Sequence, residues 1–189
     1  MSNKRILVVD DELNIRILLG SILQQAGYTV DTAEDGFVAL KKIQHTVPDL
    51  VVTDLRMPNM NGFELLSTIR TRFPDLPAIA ISGEFVSVHE SPLADAFFQK
   101  SHYTVPDFLS TVSDLLSGSR KDKRKTQVNP IWAPTGDAAL MLTCAKCLHS
   151  FPIDPNDDSY QSKETDCIFC GARLEIHLIA IGVAQPSSN

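Results

Sequence analysis

No apolar run in this 189-residue chain approaches the roughly 18 residues that a bilayer-spanning helix needs, so no membrane segment is expected. The N-terminus, MSNKRILVVDDE, has basic residues and a short apolar run. Acids follow at once where a signal peptide would carry small residues for cleavage. The expected compartment is therefore the cytoplasm. Cysteine is scarce, with four in all, and in that compartment paired cysteines hold metal more often than they form disulfides. No internal repeat of about 20–50 residues is visible. Positive charge is also in short supply, 17 Lys and Arg against 23 Asp and Glu.

That deficit is uneven. Residues 1–118 hold nine basic and fifteen acidic side chains, residues 136–189 three and seven, and residues 119–135 five and one. The single positive block, SRKDKRK from Ser119 to Lys125, reads as a solvated linker; contact with nucleic acid or an acidic partner is the alternative.

The first 118 residues alternate short apolar runs with segments of helical period. RILVVD (Arg5 to Asp10) has the nearly continuous apolar character of a strand buried on both faces. Glu12 to Gln25 places Leu13, Ile17, Leu18, Ile22 and Leu23 close to helical spacing, and Gly27 supplies a stop. TVDTA predicts a second strand, and Asp35 to His45 a helix with Val38, Ala39 and Ile43 facing in. DLVVTD predicts a third strand, followed by a helix over about Gly62 to Phe73. LPAIAISG and AFFQK predict strands four and five. VPDFLSTVSDLLS closes the series as an amphipathic helix with Pro106 tolerated in its first turn. Strands alternating with helices imply a doubly wound five-stranded parallel sheet.

In such a sheet, ligands bind beyond the carboxyl ends of the strands. Strand one ends in Asp10 and Asp11, strand three in Asp54, strand four in Ser82 and strand five in Lys100. A single strand-end Asp is ordinarily a cap or turn residue; the ordered set is what points to chemistry. Crowded carboxylates repel one another and need a cation, and a hard ion such as Mg²⁺ is commonly held by carboxylates, phosphate and water. One carboxylate can then attack a phosphoryl group, with Ser82 and Lys100 meeting its oxygens.

Residues 4–118 resemble a receiver domain of the two-component response-regulator family, a flavodoxin-like fold. The motifs are VVDDE with Asp10 and Asp11, TDLRMPNMNG with Asp54, Met57, Pro58 and Gly62, ISG with Ser82, and FFQK with Lys100. The resemblance implies that Asp54 accepts phosphate from a cognate histidine kinase, or from a small phosphodonor. It implies Mg²⁺ held by Asp10, Asp11, Asp54 and the backbone carbonyl of Arg56. It implies that Ser82 and Phe97 are switch residues, although Phe97 also reads as plain core. Arg56 and Glu84 match positions that tune phosphate lifetime. Such a protein is not an enzyme beyond hydrolysing its own phosphate.

The chain departs from the family twice. The proline that usually follows the lysine is Ser101, so a trans bond or a rearranged loop is expected, since a non-proline cis bond costs about 3–4 kcal/mol. The interval from Ser82 to Lys100 is shorter than usual, which predicts a stub for the intervening helix, interrupted near Pro92.

Beyond Gly118 the pattern changes. Residues 119–135 read as a basic linker, 136–184 as a small β-rich module with strands in ALMLTC, HSFPI and RLEIHLIAIGV, and 185–189 as a disordered tail. Cys144-x₂-Cys147, nineteen residues, then Cys167-x₂-Cys170 matches a four-cysteine Zn²⁺ site, closed and structural. Gly171 relieves crowding where the backbone turns beneath the sulfurs. The arrangement resembles a zinc ribbon. A rubredoxin-like iron centre is the alternative, although Leu148 stands where its first knuckle would have glycine. His149 and His177 read as surface or packing residues.

The module's acidic balance opposes a phosphate backbone, so it is expected to meet a protein output partner through a strand edge or through NPIWAPT. A DNA-binding regulator using linker and ribbon, and an iron redox module under receiver control, are the competing readings.

Overall fold

A computed structural model describes residues 4–83, 93–100, 102–118, 131–133, 140–153 and 164–178. The expectations for Glu84, the helix stub near Pro92, the Lys100–Ser101 bond, the basic run and the tail lie outside those residues. The chain divides into two compact units, residues 1–129 and 130–189.

Apolar runs too continuous for a one-sided sheet form the middle of the first unit. β1 (Arg5–Val9), β3 (Leu50–Asp54) and β4 (Ala78–Ser82) are buried almost throughout, whereas β2 (Thr29–Ala33) and β5 (Ala96–Gln99) are mostly half-buried. That contrast fits the strand order β2-β1-β3-β4-β5, with every pair parallel and the two half-buried strands at the edges. It is a five-stranded flavodoxin-like sheet.

The connecting helices are α1 (Leu13–Gln25), α2 (Gly36–His45), α3 (Gly62–Arg72) and α4 (Val105–Leu116). On one face of the sheet Ile6, Val8, Leu50, Val52, Ile79 and Ile81 pack with Leu19 and Leu23 of α1 and Phe108, Val112 and Leu115 of α4. Alternate strand residues point the other way, and α2 and α3 bury Ala39, Leu40, Ile43, Leu65, Leu66 and Ile69. The helix starts follow their caps. Asp35 accepts a hydrogen bond from the Val38 N–H at 2.8 Å. Asn61 and Glu64 form a reciprocal capping box. Thr104 caps α4, with Pro106 in the first turn.

The face of α1 differs in part from the periodic reading, whose Leu23 is buried and Ile22 half-buried. Leu13, Ile17 and Leu18 are exposed, and the inward stripe is Ile15, Leu19 and Leu23. Ile15, Leu19 and Leu23 repeat at four-residue spacing, and so do Leu13 and Ile17, so period alone does not say which stripe meets the sheet.

In the second unit two antiparallel hairpins each enclose one cysteine pair. The first joins β7 (Leu140–Thr143) to β8 (Ser150–Ile153), and the second joins β9 (Glu164–Asp166) to β10 (Arg173–Leu178). Leu142, Cys144, Phe151, Ile153, Cys167 and Leu174 form its core. β6 (Ile131–Ala133) pairs with β10 in parallel. Those three residues lie in the stretch that composition assigned to the linker, because the prolines around them mask a strand whose partner is far along the chain.

Candidate functional site

Strand register gathers the polar residues at one end of the sheet. Val9 pairs with Thr53, so Asp10 and Asp54 follow side by side. Asp54 pairs with Ile81, and Ser82 with Gln99. The Lys100 N–H then donates to the Ser82 carbonyl at 2.7 Å. Gly62 is required beneath this edge: a Cβ there would lie 1.9 Å from the Asp54 carbonyl oxygen and 2.8 Å from the Leu55 Cα. Only a glycine lets the first turn of α3 sit against the end of β3.

Asp10, Asp54 and Ser82 are buried, while Asp11 is exposed. One carboxylate oxygen from each of Asp10, Asp11 and Asp54 lies within 4.8 Å of the others, a grouping with room for a cation. The Lys100 ammonium stands among them, 2.6 Å from Asp54 Oδ2, 3.1 Å from Asp10 Oδ2 and 3.3 Å from Glu12 Oε1. Burial lowers the Lys100 pKa, but its hydrogen bonds to Asp54 and Asp10 outweigh burial and raise it above the ordinary value. Burial raises the Asp10 carboxyl against the opposing Glu12 N–H and Lys100. The second Asp54 oxygen, Oδ1, accepts from the Arg56 N–H at 3.2 Å. Phe97 is half-buried on the face of β5 opposite Phe98, whose ring packs with Tyr103 and Phe108.

The four cysteines also come together. Cys144 and Cys170 sulfurs are 3.7 Å apart, Cys147 and Cys167 sulfurs 3.6 Å, and all four lie within 4.8 Å of one another. Disulfide sulfurs would be about 2.05 Å apart. A tetrahedral zinc with Zn–S bonds of about 2.3 Å sets its sulfurs about 3.8 Å apart, so the donor set fits that ion.

The two knuckles have equivalent backbones. The Leu148 N–H donates to the Cys144 carbonyl at 2.7 Å, and the Gly171 N–H to the Cys167 carbonyl at 2.8 Å. Leu148 and Gly171 share the left-handed region, with φ of 60° and 67°. Burial pushes the Cys144 thiol up to about 12. At Cys167 the Phe169 and Cys170 N–H groups outweigh burial and bring the thiol down to about 7. His149 stacks on Phe169 with ring centroids 4.7 Å apart, outside the sulfur cluster; the side chain of His177 lies outside the described residues.

Residues 6–96 match the family model of the response regulator receiver domain. Sporulation initiation phosphotransferase F of Bacillus subtilis is 32% identical over 116 residues, which cover 60% of this chain and 91% of that protein. This chain belongs to the response regulator receiver family. The receiver is also 45% identical over 89 residues to the alkaline phosphatase synthesis transcriptional regulatory protein PhoP of B. subtilis, of whose length it spans 37%. Among solved structures, the response regulator TrrA of Thermotoga maritima, crystallised with Mg²⁺-BeF, is 41% identical with a TM-score of 0.56. That match covers 59% of this chain and 98% of TrrA.

Of three further receiver residues near the site, two gave no signal in the sequence and one gave a faint one. Glu12 reaches Lys100 across 88 positions. Arg16 of α1 donates from Nη1 to the Asp10 carbonyl at 2.5 Å. Asn59, with φ of 64°, donates from Nδ2 to Asp35 Oδ2 at 2.8 Å and ties the β3–α3 loop to the start of α2. Only the last carried a hint, since asparagine tolerates the left-handed region better than most residues.

Proposed function

We propose that Asp54 is the phosphoacceptor of a two-component response regulator, and that its phosphorylation by a histidine kinase switches protein contacts. The carrying observation is the Lys100 ammonium held 2.6 Å from a buried Asp54 carboxylate, with Asp10 at 3.1 Å. An Asp54 oxygen attacks the phosphorus of a phosphohistidine, the P–N bond breaks, and the imidazole leaves with a proton. Lys100 stays cationic and meets a phosphoryl oxygen; the Ser82 hydroxyl donates to another.

Asp10, Asp11, Asp54 and the Arg56 carbonyl are the groups that would hold Mg²⁺, which supplies charge neutralisation to the phosphoryl oxygens. The magnesium in the TrrA structure supports this assignment. Phe97, half-buried at the edge strand, is the aromatic partner of Ser82 in the switch. The protein is an acceptor rather than a turnover enzyme, losing its phosphate by hydrolysis at Asp54, and it works in the cytoplasm. Among the described residues no helix is long and apolar enough to cross a membrane.

The C-terminal module is read as a zinc ribbon held by Cys144, Cys147, Cys167 and Cys170, a structural appendage that contacts a protein. Its acidic balance and the exposure of Ile168 and Phe169 at the second knuckle support a protein partner over DNA. Incubation with Mg²⁺ and a small phosphodonor should add one acid-stable, base-labile phosphate, and Asp54→Asn should take up none. Equal labelling of that variant would place the acceptor elsewhere.

A further inference from the structure

Lys100 has three N–H donors and three carboxylates around it. Asp54 and Asp10 are buried and belong to the set that the strand ends bring together. Glu12 is different. Its side chain is 61% exposed, while that of Lys100 is 20% exposed, so Glu12 covers the ammonium from the solvent side. The same residue is tied in from its backbone, where the Glu12 N–H donates to Asp10 Oδ1 at 2.8 Å. Asp10, Glu12 and Lys100 therefore close a ring in which each touches the other two.

We propose that Glu12 is a positioning residue that holds the third N–H of Lys100 in the unphosphorylated receiver and competes with an incoming phosphoryl group for that ammonium. This rests on the reading of Asp54 as phosphoacceptor. A phosphoryl group on Asp54 brings several anionic oxygens to the ammonium that now serves three carboxylates. Asp10 and Asp54 cannot withdraw, because the first is fixed by its backbone bond and the second carries the group. Glu12 alone stands in solvent and can turn away, and while it stays its charge opposes the phosphoryl oxygens at short range. It tunes how firmly the phosphorylated state is held and does no chemistry itself.

Glu12→Gln keeps the size and the backbone bond and removes the charge. The full chain, with Mg²⁺ at saturation, is titrated with beryllium fluoride by calorimetry. The variant should bind about two- to fivefold more tightly than the parent, the range of an exposed ion pair. The gap should close as salt rises from about 0.05 to about 0.5 M, because the competition is between partly exposed charges. A merely structural role for Glu12 would show in the thermal midpoint and not in this salt dependence.

Equal or weaker binding by Glu12→Gln at low salt, with the parent binding normally, overturns the role of Glu12 alone. An Asp54→Asn control that binds as well as the parent, or a parent that does not bind, overturns the assignment of Asp54 and this inference with it.

Discussion

At the scale of single residues, the receiver places charge where burial makes it matter. Glu64 closes the capping box by accepting from the Asn61 N–H at 2.8 Å. Burial outweighs that bond and raises its carboxyl from 4.5 to about 7. The folded state therefore binds more protons than the unfolded state between those values. Glu64 costs nothing at low pH, and its cost grows as pH rises from 4.5 to about 7 and then levels off. Glu64→Gln retains a side-chain acceptor for the box. It should stabilise the protein at about pH 8 by about 1–2 kcal/mol, after allowance for solvent screening of a partly exposed group. At about pH 4 it should change little. Chemical denaturation at both pH values measures this, and an equal effect at both would show that the carboxylate charge is not the cause.

At the scale of elements, one arginine joins three segments. Arg70, on α3, donates from Nε to the Leu93 carbonyl at 2.6 Å, from Nη1 to the Leu76 carbonyl at 2.5 Å, and from Nη2 to Asp95 Oδ2 at 2.7 Å. Asp95 Oδ2 also accepts from the Ala78 N–H at 2.8 Å, so the pair locks α3, the loop before β4 and the approach to β5. The two side chains are only 4% and 8% exposed. Arg70→Met leaves a buried carboxylate and two carbonyls without this donor and should cost about 3–5 kcal/mol. Adding Asp95→Asn removes the stranded charge and should recover part of that loss, read as coupling in a double-mutant cycle. Strict additivity would mean that the two side chains do not act as a pair.

At the scale of the whole molecule, the two units can be followed separately. All four helices of the described residues lie in the first unit, and the single tryptophan, Trp132, lies in β6 of the second. If the cysteine module is held by zinc, elemental analysis should find about one zinc per chain. Stripping it with a chelator should change Trp132 fluorescence and leave the helical circular dichroism in place. Visible iron absorbance would overturn the zinc assignment, and simultaneous loss of helix would show that the units do not fold independently.

Much of this is legible in the sequence. Asp10, Asp54, Ser82 and Lys100 each end a strand whose apolar run is unmistakable, so a parallel sheet must bring them to one edge. Each cysteine pair is a local motif, but the sulfurs of the two knuckles meet across 26 and 20 positions, which only folding brings about. What needed tertiary structure was every choice between equal local patterns and every contact across a long interval. Period allowed two apolar stripes on α1, and packing against the sheet buried Ile15, Leu19 and Leu23 while leaving Leu13, Ile17 and Leu18 in water. β6 was hidden because a three-residue strand exists only through its pairing with β10. Glu12 on Lys100 and Arg70 on Asp95 have no local signature. The sequence by itself determined the sheet and the polar residues that meet at the carboxyl ends of its strands; only folding decided which charges share one ammonium, because that depends on distances the chain sets when it closes.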